Sequence, residues 1–295
     1  MNYLEVRNCS LKQFNTLRLE STAALIVFPL NKLGVKEVYQ KFFDKKMIIL
    51  GNGSNLLFSK DYYDDSYVFL SFKMMDSIEL IESYIYSDAG VTLSMLSWFA
   101  LENRVSGYEF LEDIPGGVGG AIIMNAGTYE DTIGQLVESV EYYDINKDEI
   151  VNREVEKGDF GRRSSFWTEG SNVILSTKLQ AGDHQIVENY EVIIDEMQRI
   201  KKNRYMKQPR NYPNAGSVFK RPSLNGQDFY VWKLFEELKL RGYRKNGAMI
   251  SEKHPGFIVN QNNANAEDVL FLINLAKEKV KDSFGIELEL EWKII

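Results

Sequence analysis

The stretch "MIILGNGSNLLF", residues 47–58, decides which kind of nucleotide fold this chain can have. An apolar run leads into Gly51-Asn52-Gly53-Ser54-Asn55, and apolar residues resume at Leu56. A Gly-x-Gly after a strand is the start of a dinucleotide fingerprint, but the third glycine is missing and no amphipathic helix follows. Two readings of the loop stand. It is a tight turn between buried strands, or a cradle whose backbone N–H groups converge on phosphate while Ser54 and Asn55 add side-chain hydrogen bonds.

The 295 residues suffice for two or three domains with filled cores, and 44% apolar with 26% charged residues is ordinary for a globular protein. A net charge of −7 argues against a nucleic-acid binder, which carries a basic surplus. No apolar run is long enough to span a bilayer and "MNYLEVRNCSLKQF" has no signal-peptide core, so the expectation is a cytoplasmic protein with no membrane and no obligate protein partner. A single cysteine, Cys9, excludes an internal disulfide framework, and two distant histidines, His184 and His254, make a metal site unexpected.

Around the opening loop, "TAALIVFP" and "MIIL" read as buried strands flanking a helix with Val35, Val38 and Phe42 on one face. "SYVFLSF" and "IELIESYIYSDAG" read as strands, and residues 92–104 as a helix striped by Leu93, Leu96, Ala100 and Leu101. "VESVEYYDINKDEIVNREV" predicts a hairpin turning at Asn146-Lys147. "NVILSTKLQA" is another strand, followed by an amphipathic helix over about 189–204. Pro209, Pro213 and Gly216 then interrupt any regular element. Beyond them Asn265 caps a helix that Gly285 closes, and "IELELEWKII" alternates glutamates with apolar residues as a strand. The order is α+β, not a doubly wound βαβ series.

The second glycine-rich segment, "IPGGVGGAIIMNAG" at 114–127, permits close backbone approach and suits wrapping a pyrophosphate. Together the two loops resemble the flavin-binding half of the bacterial UDP-N-acetylenolpyruvoylglucosamine reductases, which carry a strand-GxGSN loop and then "GIPGxxGGxxxxNAG". Asp113 stands where that family usually has glycine. "NAGSVFKRP", "RGYRKNGAMISEKHPGFIVN" and "LELEWKII" resemble further family blocks in the right order, so the resemblance spans essentially the whole chain. The spacing after Ser217 is similar to the shorter, Gram-positive-type class, which implies an open substrate channel.

The resemblance implies an α+β fold of the vanillyl-alcohol-oxidase type. Two FAD-binding subdomains, 1–75 and 76–204, would precede a substrate-binding C-terminal domain, 205–295. No helix N-terminus need pack on the first loop, which accounts for the missing glycine. The implied cofactor is non-covalent FAD, held by Gly51, Asn52, Gly53, Ser54, Asn55, Pro115, Gly116, Gly117, Gly119, Gly120, Asn125 and Gly127, with NADPH as reductant. The implied small-molecule substrate is the enolpyruvyl ether of UDP-N-acetylglucosamine, reduced to UDP-N-acetylmuramate. Hydride from flavin N5 reaches the vinyl methylene carbon, and charge accumulates on the α-carbon and its carboxylate. That chemistry needs a cation at the carboxylate, a polarising group and a proton donor.

"DFGRRSSFW" aligns with "FGYRxSxF", which puts Arg163 on the carboxylate-polarising arginine and Arg162 on the family's tyrosine. Ser217 falls on the proton-donating serine, with Lys220 as a candidate for reprotonating it. Glu291 matches the terminal glutamate, while Glu287 and Glu289 read as a solvated acidic edge. Lys207 matches a lysine on the substrate diphosphate, and Arg221 is a second candidate there. Two other readings remain: an FAD enzyme of this fold with another substrate, and a paralogue that binds without turnover.

Overall fold

The apolar run ahead of the opening loop becomes strand Lys46–Leu50, parallel to Tyr67–Ser71 from Lys46 opposite Tyr67 to Leu50 opposite Ser71. Tyr67–Ser71 also runs parallel to Thr22–Pro29, with Ile26 opposite Phe69. Parallel strands of one sheet need a crossover, and α1, Lys32–Lys41, supplies the one from Thr22–Pro29 to Lys46–Leu50, with Tyr67–Ser71 lying between them. Asn31 caps it by accepting from the Gly34 N–H at 2.9 Å, and its buried Val35 and Val38 face the strands' core. The sheet order is Tyr3–Ser10, Thr22–Pro29, Tyr67–Ser71, Lys46–Leu50. The structure is a computed structural model that describes residues 1–128, 131–168, 171–181 and 190–295; His184 and the expected helix start near 189 lie outside them.

A second sheet is antiparallel, in the order Glu149–Glu154, Val137–Asp144, Asn172–Gln180, Tyr84–Asp88, Ile78–Ile81. Its first two strands form the expected hairpin, with Asp144 opposite Glu149. Against it lies α2, Leu93–Glu102, where the Thr92 hydroxyl accepts from the Met95 N–H and the predicted stripe of Leu93, Leu96, Ala100 and Leu101 is buried. The glycine-rich segment contains a helix the sequence does not advertise, α3, Val118–Met124. The amphipathic helix after the second sheet is α4, Glu191–Lys207.

By its contacts the chain divides into two units, the first made of Met1–Arg7, Leu25–Asn52 and Asp65–Arg204, the second of Asn8–Ala24, Gly53–Asp64 and Tyr205–Ile295. In the second, a four-stranded sheet runs Asn214–Ser217, Phe257–Asn260, Ala248–Ile250, Arg244–Lys245. Its core takes Phe235 from α5, Val231–Glu237, and Val269, Leu272, Ile273, Ala276 and Val280 from α6, Ala266–Phe284. Asn265 and Asp268 cap α6 reciprocally, and Gly285 closes it at φ 66°.

One expected element is only partly formed. Over 286–295 the alternation holds, with Ile286, Leu288 and Trp292 buried and Glu287 and Glu289 exposed. Only Lys293–Ile294 makes a ladder, parallel to Leu56–Leu57, and Phe219–Leu290 is an isolated bridge. The period of two fixes which side chains turn inward; it supplies no continuous neighbour for the backbone.

Candidate functional site

In the first unit, the glycine-rich segment is fastened to the turn after strand Tyr84–Asp88. The Val118 N–H donates to Val91 O at 2.8 Å and the Gly119 N–H to Ala89 O at 2.9 Å. A Cβ on Gly117 would stand 3.3 Å from Ala89 O, and one on Gly119 would stand 3.0 Å from the Ala89 Cβ, so these two glycines allow the segment to lie against its own chain. Gly127 is similar, because a Cβ there would meet Asp131 O at 2.1 Å. Gly120 and Gly51 differ: a Cβ on either meets nothing within 4 Å. They present bare backbone to open space, as a phosphate-binding surface requires. Open space at these two positions leaves room for the close backbone approach that a bound FAD diphosphate needs.

Asn125 ends α3 in the left-handed region at φ 42°. Its side chain is buried and engaged on both sides: it donates to Gly161 O at 2.9 Å and accepts from the Gly134 N–H at 3.1 Å. Gly161 belongs to a tight hairpin, Phe160–Gly161 against Ser164–Ser165, whose two loop residues are Arg162 and Arg163. The Thr168 hydroxyl donates to Ile123 O at 2.6 Å and adds a second tie between hairpin and α3. Beneath the hairpin Trp167 is 1% exposed, packed between Phe160, Phe166 and Tyr142. Arg153 braces the same turn through Asp159 at 2.9 Å and stacks over Phe166. Segments some forty residues apart in sequence thus form one block.

Within that hairpin Arg162 is exposed, whereas Arg163 is half-buried at φ 58°. A non-glycine residue held there carries strain of about 1 kcal/mol or more, which an enclosing structure must offset. Arg204 of α4 lies close enough to feel the charge of Arg163. Burial, and then Arg163, push its guanidinium below the ordinary arginine range. Arg204 Nε donates to Asp113 Oδ2 at 3.4 Å.

In the second unit, Gly53 turns at φ 63° directly under Phe14, whose carbonyl a Cβ would strike at 1.9 Å. The Thr16 N–H donates to Gly53 O at 3.2 Å. Asn55 Nδ2 donates to Glu291 O at 3.0 Å, and the Lys293 N–H donates back to Asn55 O at 3.0 Å. Ser59 and Tyr63 both donate to Ile295 O, the tyrosine at 2.8 Å. The 291–295 segment therefore clasps the end of the opening loop.

Ser217 sits at a bulge. Asn214 pairs with Val259 and Ser217 with Phe257, so the Asn214–Ser217 strand carries one more residue than its partner, and Gly216 absorbs it at φ 79°. The Asn214 side chain holds this turn, donating to Pro209 O and Tyr212 O and accepting from the Gly216 N–H at 3.1 Å. One residue on, Val218 O accepts from the Glu291 N–H at 2.9 Å. Ser217 and Glu291 thus lie on neighbouring stretches of backbone, both half-buried. Lys220 is committed elsewhere. It is ion-paired with Glu289, 72% exposed, on the solvent side. Glu287 likewise pairs with Lys281 at 2.7 Å in solvent. Lys207 is exposed at the last turn of α4, and the Arg221 guanidinium lies 4.3 Å from the Tyr230 ring centroid. His254 accepts from the Gly256 N–H at 3.2 Å and meets the edge of Phe257, a turn-forming role.

Sequence reasoning missed the Asp113–Arg204 pair, whose members are 91 residues apart with no local pattern linking them. It also missed the Phe14–Thr16 support for Gly53, which only the turn of the backbone reveals. Among the described residues no cluster of potential metal ligands occurs, and no helix is long and apolar enough to cross a membrane.

Comparison with known proteins adds to this geometry. Residues 23–152 match the family model of an FAD binding domain, and residues 208–295 match the C-terminal domain of UDP-N-acetylenolpyruvoylglucosamine reductase. The chain is 38% identical to the UDP-N-acetylenolpyruvoylglucosamine reductase of Thermotoga petrophila, over 95% of this chain and 94% of that one. It is 36% identical to that of Francisella tularensis, over 97% and 98%. The crystal structure of the Thermus caldophilus reductase superposes with a TM-score of 0.79 at 29% identity, covering 100% of this chain and 99% of that one.

Proposed function

The chain belongs to the UDP-N-acetylenolpyruvoylglucosamine reductase family, and from that premise we propose how its residues divide the work. It is an FAD flavoenzyme and oxidoreductase of the α+β flavin-binding fold, it acts on a small-molecule substrate, and its reductant is NADPH. The reaction is reduction of the enolpyruvyl ether of UDP-N-acetylglucosamine to UDP-N-acetylmuramate, a step of peptidoglycan precursor synthesis that we assign to the cytoplasm.

Bound FAD supplies a carrier that accepts two electrons and a proton from NADPH and returns them as hydride. The residues proposed to hold it are Gly51 to Asn55 on the first loop and Pro115, Gly116, Gly117, Gly119, Gly120, Asn125 and Gly127 on the second. Gly51 and Gly120 offer bare backbone, while Gly53, Gly117, Gly119 and Gly127 let the loops lie close against neighbouring backbone. The proposed division assigns FAD binding to residues 1–75 and 76–204, the latter also supplying Arg163 to the substrate, and the rest of substrate binding to 205–295.

Hydride addition to the vinyl methylene leaves a carbanion that delocalises into the adjoining carboxylate. Arg163 receives that carboxylate, because a guanidinium matches its two oxygens with paired donors and stays charged. Ser217 delivers a proton to the α-carbon, and a hydroxyl does so only where its conjugate base is stabilised. Glu291 orients the reacting end of the substrate. Lys207 and Arg221 take the diphosphate, where compact positive charge suffices. The observation that carries the reading is the position of Glu291: its carbonyl accepts from Asn55 of the flavin loop while its N–H reaches Val218, next to Ser217.

The test uses purified protein, the enolpyruvyl sugar nucleotide and NADPH in deuterium oxide under anaerobic conditions. The reading requires UDP-N-acetylmuramate carrying a solvent deuteron at its α-carbon. A product unlabelled at the α-carbon, or flavin that NADPH bleaches but this substrate never reoxidises, would falsify it.

A further inference from the structure

The four-stranded sheet of the second unit has one face on α6 and one turned away from it. Ala215, Val218, Ala248, Ile250 and Ile258 pack with Val269, Leu272 and Ile273 of α6, so the residues alternating with them point to the opposite face. On that opposite face Asn214, Val259 and Met249 stand in one row across three strands. Ser217 and Phe257 stand in the next row, and the Ser251 N–H donates to Phe257 O at 2.9 Å, which extends the row to Ser251. Ser217 and Ser251 are therefore two strand spacings apart, about 10 Å, on one side of the sheet. The buried Met249 and Ser251 floor a cavity of about 270 Å³ walled by Tyr205 and Tyr212. Arg210 and Lys253 stand at its rim, where Lys253 Nζ donates to Tyr205 O and lies 4.9 Å from the Tyr205 ring centroid. Glu252, the rim carboxylate, is drawn to Arg244 at 3.4 Å. The Asn214 side chain, which sets the turn before Ser217, also holds Pro209 O at 2.8 Å and Tyr212 O at 3.0 Å. One bracket thus fixes both the cavity wall and the serine.

We propose that this cavity receives the nucleoside end of the substrate, a pyrimidine base with its ribose, while the reacting end lies over Ser217. The proposal rests on the reading of Ser217 as the donor to the α-carbon. A hexose and a diphosphate separate those two ends of the substrate, and the sheet sets their two sites about 10 Å apart on one face. At about 270 Å³ the cavity falls below the roughly 300 Å³ at which pockets for whole drug-sized ligands begin, so it takes one end of a molecule. Tyrosine rings and the polarisable Met249 suit the flat faces of a base. Arg210 and Lys253 bring positive charge to the adjoining phosphates, and Lys207, assigned to the diphosphate, follows Tyr205 by two residues on α4. Through Asn214, a substrate seated in the cavity is held in register with the proton donor.

The experiment titrates FAD-loaded wild type, Asn211→Trp and Tyr212→Ala with UDP in a calorimeter, and measures KM for the enolpyruvyl sugar nucleotide in each. Asn211 is exposed and lines the cavity, so tryptophan there fills the space without entering the core. Tyr212→Ala removes a wall. Both variants should weaken UDP binding about ten-fold or more and raise KM by a similar factor. Asn211→Trp should keep the wild-type FAD content and urea midpoint. An active wild type whose UDP affinity is unchanged in both variants overturns the cavity and leaves the reductase reading standing. Weakening confined to Tyr212→Ala, with a lowered urea midpoint, marks a loosened loop and equally overturns it. A wild type that does not turn over the enolpyruvyl sugar nucleotide overturns the functional reading itself.

Discussion

Replacing Asn125 by alanine should loosen the block that carries Arg163, by an amount the contacts allow one to work out. The substitution removes the donor to Gly161 O at 2.9 Å and the acceptor for the Gly134 N–H at 3.1 Å. Each such bond contributes about 1 kcal/mol net, and a partner left unsatisfied in a buried setting adds to the loss. Alanine must also adopt φ 42°, where asparagine is tolerated, at a cost of about 1 kcal/mol. The sum, about 3 kcal/mol, is a large share of the 5–15 kcal/mol that hold a typical domain. With a urea slope near 3 kcal/mol per molar, the midpoint should fall by about 1 M. Asn125→Gly keeps the backbone free and loses only the two bonds, so its drop should be smaller. Urea unfolding followed by tryptophan fluorescence reads this, since Trp167 is buried under the same hairpin. If Asn125→Ala unfolds with the wild-type midpoint, or glycine costs as much as alanine, the account of how α3 and the arginine hairpin are joined is wrong.

Gly53 and Gly51 should part company. Gly53→Ala drives a methyl to 1.9 Å from Phe14 O at φ 63°, so its urea midpoint should fall by an amount equivalent to about 2 kcal/mol. Gly51→Ala meets nothing within 4 Å and should keep its midpoint while shedding FAD on gel filtration; equal behaviour of the two refutes the division of labour. His254 is held below its ordinary pKa of 6.5, mainly by burial and further by the Arg241 charge. The unfolded chain therefore takes up the proton first, so stability is whole above the ordinary value and is lost as pH falls through and below it. Urea midpoints measured from pH 8 to pH 5 should decline less in His254→Gln than in wild type, and parallel curves would exclude the histidine as a cause.

Much of the fold is legible because local signals agree with one another. Asn265, Asp268 and Gly285 mark both ends of α6, and Thr92 with the Leu93–Leu96–Ala100 stripe marks α2. Elsewhere local signals mislead. Two glycines hide α3, a helix held by its bonds to Ala89 and Val91 and not by propensity. The alternation of 286–295 reads as a full strand, yet only Lys293–Ile294 finds a ladder partner. The site is legible where motifs are contiguous, as at Gly51–Asn55 and around Ser217. It is illegible where function depends on distant pairing. Nothing near Arg162 and Arg163 says which one the hairpin turns to half-burial, and nothing near Asp113 announces Arg204.

The central claim is that Ser217 protonates the α-carbon after hydride has moved. Anaerobic half-reactions of Ser217→Ala test it most directly, with flavin absorbance followed first on adding NADPH and then on adding the enolpyruvyl sugar nucleotide. The account predicts bleaching at the wild-type rate, then net reoxidation slowed by about a hundred-fold or more, because hydride transfer stays reversible until the α-carbon is protonated. Reoxidation by substrate as fast as in wild type, with normal product, would contradict it.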